Sequence, residues 1–287
     1  MKQGNIINNI INIAIDGPSG AGKTSLARNI AEKLGFLYVD TGAIYRAVAL
    51  YALKSGTNPQ DSAAVTALLP EIQVKPVYES DGVQHMYLNH QDVTDQIRTP
   101  EVSMAASQVA AYPGVRVFLL ETQRKLAKEH DVVMDGRDIG TVVLPNADVK
   151  IFLTASAEER AWRRTLQLDE QGMARPYAEV LEDLRKRDYN DSNRSVAPLR
   201  QADDAVSLDT THLTFSQSAA ALEKIIWEKT GVGEPPVQEH PGAEYEPIFA
   251  EKVSESGAGR DPESEKTAEN LEKSPEKSKS KGDETAS

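Results

Sequence analysis

The sequence predicts an α/β fold, a parallel sheet flanked by helices, on three observations. Short apolar runs alternate with longer helical patterns through residue 230, a glycine-rich turn joins the first run to the first helical pattern, and one stretch breaks the alternation. Predicted strands occupy residues 10–15, 36–39, 132–134, 149–153 and 205–208, where Ile, Val, Leu, Phe and Tyr dominate as in strands covered on both faces. Predicted helices occupy residues 23–34, 43–53, 115–128, 156–171, 177–187 and 215–229. Ser156 with Glu159, and Thr214 with Gln217, have the spacing of capping boxes and mark two helix starts. The stretch 62–101 departs from the pattern. It holds EIQVKPVYES, the pair Asp81-Gly82 and VQHMYLNHQDVT, two β-like runs around a turn, and is expected to form a small antiparallel insertion beside the main sheet.

Composition narrows the function classes. The 287 residues are 39% hydrophobic, enough for a sizeable core, and include no cysteine. Disulfides, thiolate nucleophiles and Cys-bound zinc are therefore excluded, and any metal must be held by oxygen. No apolar run reaches the roughly 20 residues that cross a bilayer, and no cleavable signal is expected, so the expected location is the cytoplasm. The net charge of -12 argues against a nucleic acid polymer or an anionic membrane as partner. The charge is uneven, because residues 231–287 alone carry 14 acidic and 7 basic side chains. That segment is rich in Glu, Lys, Ser, Pro and Gly and reads as a disordered acidic tail. Its few apolar residues, around 245–249, leave room for an unknown protein partner.

The strongest local signal is GPSGAGKTS, which satisfies G-x-x-x-x-G-K-S/T with Gly17, Gly22, Lys23 and Thr24. It follows a strand and opens a helix, so the loop from Gly17 through Pro18, Ser19, Gly20, Ala21 and Gly22 to Ser25 is expected to wrap the phosphates of ATP, with a backbone N–H donor on every residue except Pro18. Lys23 would reach the β- and γ-phosphates, and the Thr24 hydroxyl would ligate or orient Mg²⁺. The fold is thus of the P-loop NTPase type. The motif fixes nucleotide binding and leaves the reaction open. VVMD, residues 132–135, ends a strand in a carboxylate, so Asp135 is a candidate for holding Mg²⁺ directly or through water, although an acid after a strand is usually only a loop residue. A guanine-reading N-K-x-D is missing from the sequence.

Arginine-bearing motifs cluster after the predicted elements: DTGAIYR at 40–46, ASQVAAYPGVR at 106–116, DGRDIGT at 135–141 and RDYNDSNR at 187–194. In a parallel sheet the strand C-termini face the same crevice as the phosphate loop. A single arginine is usually a solvated charge, but Arg46, Arg137 and Arg194 in such loops are expected to point at one acceptor phosphate. A regulatory or scaffold P-loop protein, the competing class, would bind ATP with no turnover and would not need them.

Together with IDGPSGAGK, DGRD-x-GTVV-x-P and RD-x-x-D-x-x-R-x-x-A-P-L, these motifs make residues 10–230 resemble the bacterial cytidylate kinases, nucleoside-monophosphate kinases that phosphorylate CMP and dCMP with ATP. The resemblance implies a kinase domain over residues 1–230, with a core of 5–61 and 102–230, an NMP-binding insertion at about 62–101 and a short helical lid at about 156–175. It implies a monomer, and it has no counterpart for the tail. It implies that Arg46, Arg137 and Arg194 hold the CMP phosphate, that Ser107, Arg116 and Asp138 read cytosine, and that Arg187 and Asp191 bind the ribose. Thr41 and Tyr45 would complete the CMP site. Arg163 and Arg164 resemble lid arginines that close over ATP, which makes Lys23, Arg137, Arg194 and Arg163 the catalytic set. The family's loop commonly reads GKGT or GKST, whereas this chain has Lys23-Thr24-Ser25, so either Thr24 or Ser25 would approach Mg²⁺. A kinase for another monophosphate such as UMP is the nearest enzymatic alternative.

Overall fold

A computed structural model describes residues 10–78 and 84–234. Five parallel strands form the main sheet: β1 (Asn12–Asp16), β2 (Leu37–Asp40), β6 (Val132–Gly136), β7 (Val149–Thr154) and β8 (Val206–Asp209), in the order β2-β6-β1-β7-β8. All five predicted strands are present. All five run past their predicted C-terminal ends, by two residues in β6 and by one in the others, because backbone pairing continues beyond the apolar run: Ile15 pairs with Asp135, Asp16 with Gly136 and Thr154 with Asp209. Hydrophobicity marks the middle of a strand, whereas hydrogen bonding decides where it stops.

Side-chain alternation distributes the sheet between two cores. Ile13 and Ile15 of β1, with Val133, Ile151 and Leu153, pack under α1 (Lys23–Leu34) and α8 (Phe215–Thr230). Ala14 faces the other way, with Val39, Val132 and Met134, toward Ala127 of α5 (Pro113–Glu129). Full burial of an isoleucine such as Ile13 or Ile15 stabilises the fold by about 1.5–3 kcal/mol. The Thr214 capping box is complete at the start of α8. The one predicted at Ser156 is half formed, opening α6 (Ala157–Glu170): Ser156 Oγ accepts from Glu159 N, while the Glu159 carboxylate is drawn to Arg163 instead.

The stretch that breaks the alternation contains α3 (Ser62–Leu68) as well as an antiparallel sheet of β3 (Val74–Tyr78), β4 (Gln84–Leu88) and β5 (Gln91–Asp92). The predicted Asp81-Gly82 turn lies outside the described residues, as does the chain from 235 onward. Two helices flank this region, α2 (Thr41–Lys54) and α4 (Pro100–Val109). They share a core in which Ala47, Ile44 and Val48 meet Val65, Met86, Val102 and Val109. Helices α3 and α4 were not expected from the sequence. Helix α2 begins two residues before its predicted start because Asp40 caps it, accepting from Ala43 N. Helix α7 (Tyr177–Asn193) runs six residues beyond its predicted end and packs on α6 through Ala161, Leu168, Val180 and Leu184.

Candidate active site at the strand C-termini

The phosphate loop is shaped by its glycines. Gly17, Gly20 and Gly22 all have positive φ, at 150°, 79° and 89°. A Cβ at Gly17 would lie 1.9 Å from the Leu153 carbonyl oxygen, so the loop leaves β1 in direct contact with the backbone of β7. Lys23 is only 5% exposed, and its Nζ donates to the Pro18 carbonyl at 2.7 Å. Burial, then the positive fields of Arg137 and Arg187, hold the ammonium pKa well below the usual lysine range.

Thr24 Oγ1 donates to Asp135 Oδ2 at 2.9 Å, and Tyr38 Oη donates to Asp135 Oδ1 at 2.9 Å. Burial first, then Asp40, push the Asp135 carboxyl up to about 6, against the pull of Lys23. Thr24 and Ser25 are both exposed, and it is Thr24 whose hydroxyl meets Asp135. Thr24 and Asp135 therefore place two hard oxygen ligands at the end of the loop. Among the described residues no group of three or more His, Cys, Asp or Glu could hold a metal by itself. That donor set fits Mg²⁺, which keeps most of its waters and takes its other ligands from a nucleotide's phosphates.

Opposite the loop stands a cluster of arginines. Arg46 Nη2 donates to Asp40 Oδ2 at 2.8 Å, and Arg137 Nε donates to Asp191 Oδ2 at 2.9 Å. Arg187 feels Arg137 and Arg46. Burial first, then Arg137, bring its pKa down to about 10. Arg164 is perturbed in the same direction by burial and then by Arg46. The buried Nε atoms of Arg46 and Arg187 have no hydrogen-bond partner. A buried donor on a guanidinium left unpaired is costly, on the order of 1–3 kcal/mol or more, and an arriving anion would relieve it.

A second group lies beside the first. Asp138, 4% exposed, receives Arg116 Nη2 on one oxygen and Arg194 Nη2 on the other, the latter at 3.2 Å. Burial outweighs both arginines and raises the Asp138 pKa. The Arg116 guanidinium also lies over the Tyr45 ring, 5.7 Å from its centre. Ser107 Oγ donates to Asp191 Oδ1 at 3.0 Å, so Asp191 joins Ser107 to Arg137. Thr41 Oγ1 donates to the Asp135 carbonyl at 2.7 Å. The residues expected on the acceptor side thus stand together as two adjoining groups. Arg194 stands with Asp138 and Arg116, while Arg187 stands with Arg46 and Arg137.

The α6 arginines are distributed differently from the expectation. Arg163 donates to Glu159 Oε1 and to Thr210, through Nη1 to Oγ1 and Nη2 to the carbonyl, and Arg164 donates to Gln167 Oε1. The α6 arginine that touches the phosphate loop is Arg160. It is 5% exposed and donates to the Ser19 carbonyl at 2.9 Å and to Asp188 Oδ2 at 2.6 Å. Arg160, Arg163 and Arg164 share one helix face by their spacing, so the sequence signal covered all three, and only the crossing of α6 over the loop singles out Arg160. Asp16 was also missed. Its carboxylate accepts from Ile139 N at 2.8 Å and Gly140 N at 2.7 Å, and burial pushes it up to about 6 despite these bonds.

The sequence model of the cytidylate kinase family matches residues 13–228. A cytidylate kinase from Caldicellulosiruptor bescii is 49% identical over 218 residues, spanning 75% of this chain and 94% of that protein. The cytidylate kinase of Carboxydothermus hydrogenoformans is 49% identical over 220 residues, spanning 77% and 99%. That of Lactobacillus johnsonii is 45% identical over 223 residues, spanning 78% and 96%.

Proposed function

Because the chain belongs to the cytidylate kinase family, we propose that it transfers the terminal phosphoryl group of ATP to CMP and dCMP, giving ADP with CDP or dCDP. The observation that carries the reading is the pair of buried, unpartnered Nε donors on Arg46 and Arg187, set among Arg137 and Lys23. Five or more phosphate charges brought by two nucleotides need such a cluster, and a protein that only bound ATP would have no use for it.

Each residue's part follows from its chemistry. The loop from Gly17 to Ser25 cradles the ATP phosphates, with Lys23 leaving the Pro18 carbonyl for a phosphate oxygen. Arg46, Arg137 and Arg194 hold the CMP phosphate, with Arg187 reinforcing the field and Arg187 and Asp191 meeting the ribose. Guanidinium forks match phosphate oxygens in a way that lysine does not. Thr41 and Tyr45 line the same site. Asp138 accepts from the cytosine exocyclic amine, and Ser107 and Arg116 donate to its acceptor atoms. Uracil would present a carbonyl oxygen to Asp138, setting two acceptors against each other where cytosine offers a donor.

Thr24 and Asp135 would hold Mg²⁺, whose chemistry is to neutralise charge on the phosphates. The hydrogen bond between the two supports Thr24 rather than Ser25 in that position. The CMP phosphate oxygen is already anionic at neutral pH, so catalysis is alignment and charge neutralisation of a loose in-line transfer, with no dedicated nucleophile. The segment at about 156–175, which holds α6, acts as the lid, excluding water that would turn the kinase into an ATPase. Arg163 and Arg164 would join the ATP site as α6 moves. The protein acts as a cytoplasmic monomer on small nucleotides, without nucleic acid or membrane as partner.

An ADP-release assay with Mg²⁺-ATP across CMP, dCMP, UMP, AMP and GMP tests the reading. Turnover on CMP and dCMP is expected; turnover on UMP alone would favour the alternative acceptor, and none on any pyrimidine monophosphate would overturn the assignment.

A further inference from the structure

Asp16 is the last residue of β1, and its peptide bond runs directly into the phosphate loop. It is 5% exposed and enters no step of the reaction proposed above. Its two oxygens bind the backbone that follows Asp138: Oδ1 accepts from Ile139 N and Oδ2 from Gly140 N. Those N–H groups begin a five-residue π-helical turn, Ile139–Val143, closed by Val143 N on the Asp138 carbonyl and Leu144 N on the Ile139 carbonyl. The first donors of any helical turn lack internal partners. Asp16 supplies them, as a cap reaching in from 123 residues away along the chain.

The consequence is geometric. Arg137 and Asp138 sit between the end of β6 and this turn, and their side chains are drawn toward Asp191 on one side and toward Arg116 and Arg194 on the other. Their backbone is fixed at one end by the pairing of β6 with β1 and at the other by the Asp16 carboxylate. The contact is tight: a Cβ at Gly140 would fall 3.4 Å from Asp16 Oδ2 and 3.2 Å from Lys150 Cδ.

We propose that Asp16 is a positioning residue that sets the register of the CMP-reading segment against the phosphate loop, so that CMP recognition depends on a carboxylate that touches neither nucleotide. The proposal rests on the kinase reading above. Phosphoryl transfer tolerates little misplacement, and a displacement of about 1 Å costs on the order of 10²-fold. A residue belonging to the loop's own strand gives donor and acceptor halves a common frame.

Two variants approach the contact from opposite sides. Asp16→Asn keeps one acceptor oxygen but turns an NH₂ toward the second backbone donor. Gly140→Ala leaves Asp16 intact and wedges a methyl between it and Lys150. Binding of CMP, UMP and ATP is measured separately by calorimetry on wild type and both variants, with thermal unfolding recorded alongside. The expected result is a CMP dissociation constant raised about 10- to 100-fold, a reduced preference for CMP over UMP, and an ATP dissociation constant within about 3-fold of wild type. A folded variant that binds CMP as wild type does, or that loses ATP affinity equally, overturns the proposal. If Asp16→Asn does not fold, Gly140→Ala decides by the same criteria. Wild type serves as the control for the parent reading: if it binds no CMP, the kinase assignment fails, whereas normal wild-type binding with unaltered variants removes only the role of Asp16.

Discussion

The loop between β1 and α1 and the arginine cluster opposite are both suited to phosphate, but they are made of different materials. The loop offers backbone donors shaped by three positive-φ glycines, with one lysine resting on the loop's own Pro18 carbonyl. The opposite side offers guanidinium groups, four of them held by a carboxylate: Arg46 by Asp40, Arg137 by Asp191, and Arg116 and Arg194 by Asp138. Backbone donors recognise any polyphosphate and cannot be deleted one at a time. Paired side chains can be arranged around a particular base and sugar, at the cost that removing one leaves its buried partner exposed to the full penalty of an unpaired charge. Discrimination is therefore concentrated on the acceptor side, and general affinity for ATP on the donor side.

That contrast can be broken or sharpened by substitution. The largest effect is expected from Lys23→Ala, which should lower kcat about 10³-fold, since it removes the one mobile charge of the donor half. Saturating steady-state kinetics would show this. Arg137→Ala should reduce kcat/KM for CMP about 10²- to 10³-fold and destabilise the fold as well, because Asp191 loses its ion pair; ATP affinity should stay close to wild type. Equal loss of ATP affinity would mean that the two halves are not separable. Asp138→Asn should reduce the ratio of kcat/KM for CMP over UMP about 10- to 100-fold, and an unchanged ratio would remove Asp138 as the reader of the exocyclic amine.

Arg160 is the point at which the contrast is weakest, a side chain that serves the donor loop. Arg160→Ala should raise KM for ATP about 10-fold, while Arg163→Ala should change it less than about 3-fold. The reverse ranking would show that Arg163 already contacts ATP before α6 closes over it. The smallest effect is in stability. The folded protein holds the Asp16 proton more tightly than a free carboxyl does, about 6 against 3.8. This favours folding below the free value and is lost as pH rises through about 6. Asp16→Asn lacks that dependence. Its melting temperature relative to wild type should therefore become more positive between pH 4 and pH 7, by the equivalent of about 1–3 kcal/mol.

The sheet was legible because its central strands β1, β6 and β7 are largely apolar runs buried on both faces and its helices carry periodic patterns. Legibility ended where structure depends on partners distant in the chain. The π-turn after Asp138 exists because Asp16 feeds its first donors, and no local signal announces that. Helix α4 is a different case: Thr99 caps it, Pro100 stands at its first position, and Val102, Ala105, Ala106 and Val109 follow at helical spacing. Those signals were present but were hidden by the neighbouring strand-like run. The two acceptor-side groups were legible as a set of residues, since the motifs bring every member. Their subdivision was not, because it is decided by which carboxylate each arginine meets.

Gly17 and Gly22 occupy the same loop and share the left-handed half of conformational space, yet they answer to different constraints. A methyl at 22 would find only Leu26 Cδ1, 4.0 Å away, and would suffer from its φ alone. A methyl at 17 would collide with the peptide group of Leu153, forcing β7 away from β1 and taking with it β8, whose register with β7 includes Leu153 and Leu208. Alanine at 22 should give a folded protein with a poor nucleotide grip. The same change at 17 should behave as a folding lesion, worsening with temperature, and bound ATP would not rescue it.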